Sequence, residues 1–269
     1  MIVDTHVHTR HSADGRDKIT EIIRQAKERG VGFLCTTDHL DLDLKYGGHA
    51  AVPWRHINLD EYKAEWDEAK AELGENSGLE LRFGIEAGWS KRAEKHLEEL
   101  LPKYDFDQVI NSVHFVLKWD VYFPQAFWFK SKKLVYSTYL KNVLESLDAP
   151  YEYDVVAHFG YVTRSAPYKD KSLKYSDYPE LFDKILLKVI KKGKALEINT
   201  HTTQYPTDEI LRRYFALGGR KISFGSDSHR DELAKNYEKT CKYLKEIGFT
   251  HFSVFRKHVE SLVEIPDFD

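Results

Sequence analysis

Seven short apolar runs, separated by stretches with helical spacing, set the architecture open to this chain. The runs cover residues 2–3, 33–36, 79–85, 108–113, 154–157, 195–198 and 222–224. Rich in Val, Ile and Phe and bounded by turn residues, they predict strands buried on both faces, as in a parallel sheet. Between them, Ile19, Ile22, Ile23, Ala26 and Gly30 mark one apolar helical stripe, and Leu181, Ile185, Leu186 and Ile190 mark another. Similar patterns run over 59–73, 93–101, 210–217 and 236–247. This alternation predicts βαβ units around a parallel sheet. A further apolar run, 249–255, reads as a final strand or a terminal segment packed on the rim. No low-complexity linker interrupts the pattern, so residues 1–269 are expected to form a single domain.

The rhythm breaks over 115–150. The first half of this insertion is aromatic (Phe115, Trp119, Tyr122, Phe123, Phe127, Trp128 and Phe129), and its second half, 132–147, has helical spacing. The aromatics are expected to pack against the barrel rim, with a lid or substrate wall as the sharper reading.

Side chains able to bind metal follow the predicted strands. Val3 leads into Asp4-Thr5-His6-Val7-His8, Thr36 into Thr37-Asp38-His39, and Ile85 into Glu86. Val113 is followed by His114, Ala157 by His158, and Phe224 by Gly225-Ser226-Asp227-Ser228-His229. In a parallel barrel all C-terminal strand ends open on one face, where active sites are built. Six strands delivering donors to one face favour a closed barrel over an open sheet. The spacing adds to this, because a period of two sends His6 and His8 to the same side of a strand. Asp227 and His229 repeat the arrangement on the last strand, the neighbour of the first in a closed barrel. Imidazole suits Zn, Fe, Ni or Cu, and carboxylates extend the choice toward Mn.

Composition narrows the function classes. Histidine supplies 13 of 269 residues, while 40 basic and 43 acidic side chains leave a formal charge of −3. With no large basic block, non-specific nucleic-acid binding is not expected. Cys35 and Cys241 cannot make a disulfide framework and read as buried thiols of a reducing compartment. The N-terminal residues lack a basic region followed by an apolar one, and no window approaches the ~20 apolar residues of a membrane span. A cytoplasmic location without a membrane partner is expected.

The motifs Asp4-Thr5-His6-Val7-His8, Thr37-Asp38-His39, Gly84-Ile85-Glu86, Ser112-Val113-His114, His158 and Gly225-Ser226-Asp227-Ser228-His229 closely resemble those of the polymerase-and-histidinol-phosphatase (PHP) family. The resemblance runs from residue 2 to about 230. The segments around His158 and from Leu196 to Thr200 look most like the histidinol phosphate phosphatase branch. It implies a distorted (β/α)7 barrel with three divalent metals, Zn, Fe or Mn, at the C-terminal ends of the strands. Carried over by motif, His6, His8, Glu86 and Asp227 would hold the first, Glu86, His114 and His158 the second, and Asp14, His39 and His229 the third. Asp14 departs from the pattern, since many relatives place histidine there, and a carboxylate favours harder metals.

The activity implied is hydrolysis of L-histidinol phosphate, a small phosphorylated substrate, in histidine biosynthesis. Three divalent ions against Asp14, Glu86 and Asp227, with a bridging hydroxide, leave about two positive charges to meet a phosphomonoester dianion. In-line attack of the metal-bridging hydroxide on phosphorus then needs no side-chain nucleophile, and Glu86 and Asp227 act in catalysis as ligands. Asp4 and Asp38 are expected to fix imidazole tautomers, with direct proton transfer as a further possibility for Asp4. Arg164, six residues after His158, is the candidate phosphate clamp, and His201 a candidate for the mouth of the site. The glycine-rich stretch 46–56, with His49 and His56, reads as an exposed loop or a cover contacting an imidazole-bearing substrate. His11, His96, His251 and His258 have no strand-end context. A nucleotide or other phosphoester is the alternative substrate, and a non-catalytic binding barrel the alternative class.

Overall fold

The computed structural model describes residues 1–42, 56–117, 119–201 and 206–268. The first half of the chain runs β1 (Ile2–Val7), α1 (Ile19–Glu28), β2 (Val31–Leu40), α2 (Leu59–Leu73), β3 (Glu80–Gly88), α3 (Glu94–Leu100) and β4 (Gln108–Ser112). An insertion follows: β5 (Phe115–Val116), β6 (Trp119–Asp120) and α4 (Lys132–Ser146). The chain continues through β7 (Val155–Val156), α5 (Pro179–Lys192), β8 (Ala195–Asn199), α6 (Asp208–Ala216), β9 (Ile222–Gly225), α7 (Tyr237–Ile247), β10 (His251–Arg256) and β11 (Val259–Glu264).

β1, β2, β3, β4, β7, β8 and β9 pair in that order, all in parallel, as a seven-stranded sheet that curls into a nearly closed barrel. The strands are buried on both faces along their length: β2 and β3 carry Phe33, Leu34, Leu81 and Phe83 at no more than 1% exposure. Helices cover the outside. The α1 stripe read from the sequence holds apart from Gly30, which lies beyond the helix. In α5, Phe182 and Val189 are buried in place of the expected Leu181 and Ile190, which are half-buried. Ile19, Ile22, Ile23 and Ala26 are the buried face of α1, and Phe182, Ile185, Leu186 and Val189 that of α5. Asn58 caps α2, accepting from the N–H groups of Asp60 and Glu61 at 3.2 and 3.3 Å.

The seam between β1 and β9 closes mainly at its C-terminal end. There His8 N–H donates to Ser228 O, and Asp227 N–H to His6 O, each at 2.8 Å. Lower down, side chains span it: Tyr237 of α7 accepts from Val3 N–H, and Thr5 Oγ1 donates to Phe224 O. The backbone is thus locked where the motif residues stand.

The 249–255 run forms an antiparallel hairpin, β10–β11, on the N-terminal rim, opposite the donors. Arg256 pairs with Glu80 at the start of β3, Lys257 N–H donates to Asp107 before β4, and His258 meets Asp154 before β7. Phe255 enters a buried cluster with Ile110, Val155, Ala157 and Ala195, plugging that end of the barrel. Burying such a ring is worth roughly 1.5–3 kcal/mol. In the insertion, Phe115 and Phe127 are buried on the rim, whereas Trp128 and Phe129 face solvent. Cys35 and Cys241 are buried free thiols. Among the described residues no helix is long and apolar enough to cross a membrane.

Candidate metal centre

The strands run further than the apolar runs suggest, so His6 lies inside β1, His39 inside β2 and Glu86 inside β3. Strand pairing then sets His39 directly beside Glu86, as Cα partners. His158 and Asp227 follow β7 and β9 with φ of 44° and 52°, left-handed conformations uncommon for residues with a Cβ. Such backbone strain, at two strand ends on either side of β8, is held by the surrounding structure and turns both side chains into the barrel mouth.

Three groups of donors converge there. His6 Nε2 and His8 Nε2 face each other at 3.0 Å, with Glu86 Oε2 3.5 and 3.6 Å away and Asp227 Oδ1 3.7 and 3.1 Å away. On its other side, Glu86 Oε1 lies 2.9 Å from His158 Nε2 and 3.2 Å from His114 Nε2. The third group joins His39, His229 and Asp14: His229 Nε2 is 3.3 Å from Asp14 and 3.5 Å from His39 Nε2. Burial alone would raise the Glu86 carboxyl, but the imidazoles of His39, His158, His6 and His114 hold it well below the usual carboxylate range. Burial lowers His8, and facing His229 and His39 pushes it further in the same direction.

These residues fit a metal. Glu86 Oε2, Asp227 Oδ1 and His39 Nδ1 are buried and lack any hydrogen-bond partner. Glu86 Oε2 and His39 Nδ1 approach to 2.6 Å without hydrogen-bonding alignment. Buried polar atoms left unmatched are expensive, and donors aimed at a common point are what a divalent ion requires. The ligand atoms of His8, His39 and His229, of His6, His8 and Glu86, and of His39, Glu86 and His114 form groups compact enough to hold an ion.

Outside these groups, carboxylates set the rings. Glu197 Oε1 accepts from His6 Nδ1 at 2.5 Å, and Asp41 Oδ1 from His114 Nδ1 at 2.8 Å; His229 Nδ1 donates to Asp227 O at 2.9 Å. Each contact places the proton on Nδ1 and leaves the Nε2 lone pair toward the centre. Neither Glu197 nor Asp41 was singled out from the sequence. Their signals were a charge inside the apolar run of β8 and a carboxylate two residues beyond His39.

Contrary to expectation, neither Asp4 nor Asp38 fixes an imidazole directly. Asp4 accepts from the N–H groups of Ser226 at 2.9 Å and Ala234 at 2.8 Å, so it braces the barrel seam, and among the described residues its carboxylate forms no hydrogen bond to an imidazole. Burial pushes its carboxyl up to about 6 despite those bonds. Asp38 is consumed by Thr9 and Ser12, and acts on His8 only through Ser12 Oγ, 3.0 Å from His8 Nδ1.

The donors open into a cavity of about 490 Å³, lined by Asp14, His39, Asp41, His114, Asp120, His158, Arg164, Asp227 and His229 among others. Arg164 stands in its wall, 3.0 Å from His201 Nε2, with its guanidinium 5.5 Å from the centre of the Tyr122 ring. Asp120 and Tyr122 bring the insertion to the cavity, so it forms part of the wall as well as of the rim. His56 lines the same cavity; the rest of the 46–56 stretch lies outside the described residues. His11 ties its loop to Glu65 of α2, and His258 belongs to the opposite end of the barrel.

The chain is similar to known proteins. The PHP domain model matches residues 4–201. The histidinol-phosphatase of Lactococcus lactis subsp. lactis is 30% identical over 262 residues, 94% of each chain. The probable histidinol-phosphatase of Clostridium acetobutylicum is 28% identical over 248 residues, covering 90% of this chain and 92% of that one. The crystal structure of the Lactococcus lactis histidinol phosphate phosphatase, complexed with zinc, L-histidinol and phosphate, matches with a TM-score of 0.86 over 97% of this chain and 98% of its own. The family model spans well over half of the chain, a 30% identical relative covers nearly all of it, and the chain belongs to the PHP domain family.

Proposed function

We propose that this chain is a metal-dependent phosphomonoesterase that hydrolyses L-histidinol phosphate to L-histidinol and phosphate. The observation that carries the reading is its likeness, at 28% identity and over 97% of its length, to a phosphatase solved with zinc, L-histidinol and phosphate. The residues that would hold divalent ions are His6, His8, Glu86 and Asp227 for one, Glu86, His114 and His158 for a second, and Asp14, His39 and His229 for a third. When bound, the ions supply Lewis-acid activation of water and neutralise charge on the phosphoryl group.

The chain's own residues do the rest. Glu197 and Asp41 fix the rings of His6 and His114, so the centre needs no rearrangement when the substrate arrives. Arg164 offers planar N–H donors suited to phosphoryl oxygens, and its guanidinium lies over the Tyr122 and Tyr161 rings in the cavity wall. His201 Nε2 meets one terminal guanidinium nitrogen at 3.0 Å and steadies the group. A role in histidine biosynthesis and a cytoplasmic location follow from this reading. Zinc is the ion in the Lactococcus lactis structure; the Asp14 carboxylate in this chain suits a harder ion at the third position.

Phosphate release by metal-replete protein from L-histidinol phosphate, a nucleoside monophosphate, a sugar phosphate and a phosphodiester tests the assignment. L-histidinol phosphate is expected to give the highest kcat/KM. A nucleotide turned over faster would replace the substrate assignment, and turnover that survives complete metal removal would refute the metal dependence.

A further inference from the structure

Four carboxylates other than Glu86 reach the cavity: Asp14, Asp41, Asp120 and Asp227. Three are aimed at imidazoles. Asp14 lies 3.3 Å from His229, Asp41 2.8 Å from His114 and Asp227 3.1 Å from His8. Asp120 differs. It is only 9% exposed, its Oδ1 accepts from Tyr122 N–H at 2.8 Å, and among the described residues no side chain forms an ion pair with it.

We propose that Asp120 is the specificity-determining residue that receives the substrate's ammonium group and makes this site selective for phosphomonoesters carrying an amine near the ester oxygen. The proposal rests on the phosphomonoesterase reading above and names how that site chooses its substrate.

Position supports it first. Asp120 ends β6, pairs with Phe115 across the small hairpin, and is followed by Val121, whose N–H donates to His114 O at 2.9 Å. The carboxylate is therefore anchored beside one of the donor groups, and does not hang from a free loop. Two residues on, the Tyr122 ring lies under the Arg164 guanidinium. The cation suited to a phosphoryl group and the Asp120 carboxylate thus line the same cavity. In L-histidinol phosphate the amine sits on the carbon next to the ester methylene, so the two charges of the substrate are separated by a short, fixed span.

Charge supports it second. A buried carboxylate is costly to keep ionised: burial pushes the Asp120 carboxyl up, and the neighbouring His114 and His39 imidazoles offset this only in part. An ammonium placed against it would hold it ionised. Next to a phosphoryl site, the same carboxylate repels any substrate that brings negative charge alone. Sugar phosphates and nucleotides meet that repulsion uncompensated, whereas an amino phosphomonoester cancels it. Selectivity by such a repulsive group is efficient because it penalises competitors as well as favouring the right ligand.

The test compares L-histidinol phosphate with its des-amino counterpart, 3-(imidazol-4-yl)propyl phosphate, on the wild type and Asp120→Asn. The wild type is expected to prefer the amine-bearing ester at least tenfold in kcat/KM, and the variant to bring that ratio to about one. Because asparagine can also disturb the hairpin, the ratio is read again without turnover, as calorimetric dissociation constants of L-histidinol and the des-amino alcohol. Equal use of both esters by the wild type, or a ratio unaltered in both measurements by Asp120→Asn, overturns the proposal and leaves the phosphatase reading standing. Release of phosphate from neither ester by metal-replete wild type overturns both.

Discussion

Glu197 Oε1 lies 2.5 Å from His6 Nδ1, across 191 positions of sequence, and its second oxygen accepts from the backbone N–H of His158 at 2.9 Å. One carboxylate on β8 thereby sets residues of two donor groups at once. A carboxylate only accepts, so the His6 proton must be on Nδ1 and the lone pair on Nε2. The close fit also explains Gly225: a Cβ there would stand 2.5 Å from Glu197 Oε1 and 2.6 Å from His6 Cβ. Any larger residue would push apart the pair that orients the first donor.

Glu197→Gln should therefore weaken metal binding while the fold persists. The amide cannot accept from His6 and also satisfy the His158 N–H and Asn199 with both of its ends. Loss of such an orienting partner costs about 10–100-fold in metal affinity. Competition with a chromophoric chelator measures this, and an affinity equal to that of the wild type would remove Glu197 from its positioning role.

Chelation should lower thermal stability as well as activity. Without ions, Glu86 and Asp227 are left with buried oxygens that have no hydrogen-bond partner. An ion present at 100 times its dissociation constant contributes about 2.7 kcal/mol. For a chain of this size that corresponds to a Tm change of roughly 5–10 °C. Calorimetry before and after chelation, and again after adding zinc, should show the melting temperature fall and return. An unchanged Tm would mean that the cluster binds no ion tightly.

Asp227→Asn and Asp227→Ala should separate chemistry from folding. The φ of 52° at Asp227 is tolerated by asparagine but strained for alanine. Both substitutions remove a ligand charge, with a loss of several kcal/mol in transition-state stabilisation, or roughly 100-fold or more in kcat. Only the alanine variant should also lose about 1–2 kcal/mol of stability. Denaturant melts alongside phosphate-release kinetics read the two effects, and wild-type kcat in Asp227→Asn would contradict the proposed centre.

Arg164→Ala should raise KM and the inhibition constant of inorganic phosphate together. Hydrogen bonds to charged groups contribute about 1.5–3 kcal/mol each, so a rise of roughly 10–100-fold is expected in both. Arg164→Lys should restore little, because a single ammonium cannot present the fork. A KM that stays at the wild-type value would place Arg164 outside the phosphate site.

The barrel was legible because strand and helix periods differ and each of its seven strands carries a short apolar run. The donors His6, His8, Glu86, His114 and His158 were legible for a related reason: a polar residue ending such a run has few structural uses. Glu197 was not, since a charge within an apolar strand reads as an interruption until its partner, far away in sequence, is known. Asp120 was hidden among aromatics, on a strand of two residues that no periodicity reveals. Asp4 misled for the opposite reason. Adjacency to a donor suggested contact with a ring, but the pairing register shifts between Asp4 and Val7, and its carboxylate meets the backbone of the neighbouring segment.

The far end of the barrel offers a pH-dependent test independent of the metal centre. His258 Nδ1 lies 2.9 Å from Asp154 Oδ2, which also accepts from Val109 N–H at the start of β4. The hydrogen bond from His258 to Asp154 raises the imidazole from its ordinary 6.5, with burial opposing in part. A raised folded-state value means that protonated His258 favours the folded chain. The contribution is fully present below about 6.5, the unfolded value, and fades as pH rises through the higher folded value. The pair is partly exposed, so it is worth on the order of 0.5–1 kcal/mol after screening. Subtracting the unfolding free energy of His258→Ala from that of the wild type should give a positive difference at pH 5.5 that declines as pH rises through and above neutrality. Glu80 and Arg256 hold the same hairpin without a titrating imidazole, so Arg256→Ala should lower stability nearly equally at both ends of that range. A His258→Ala difference that grew with pH would mean the neutral ring is the stabilising form, and would reverse the assigned direction of the proton.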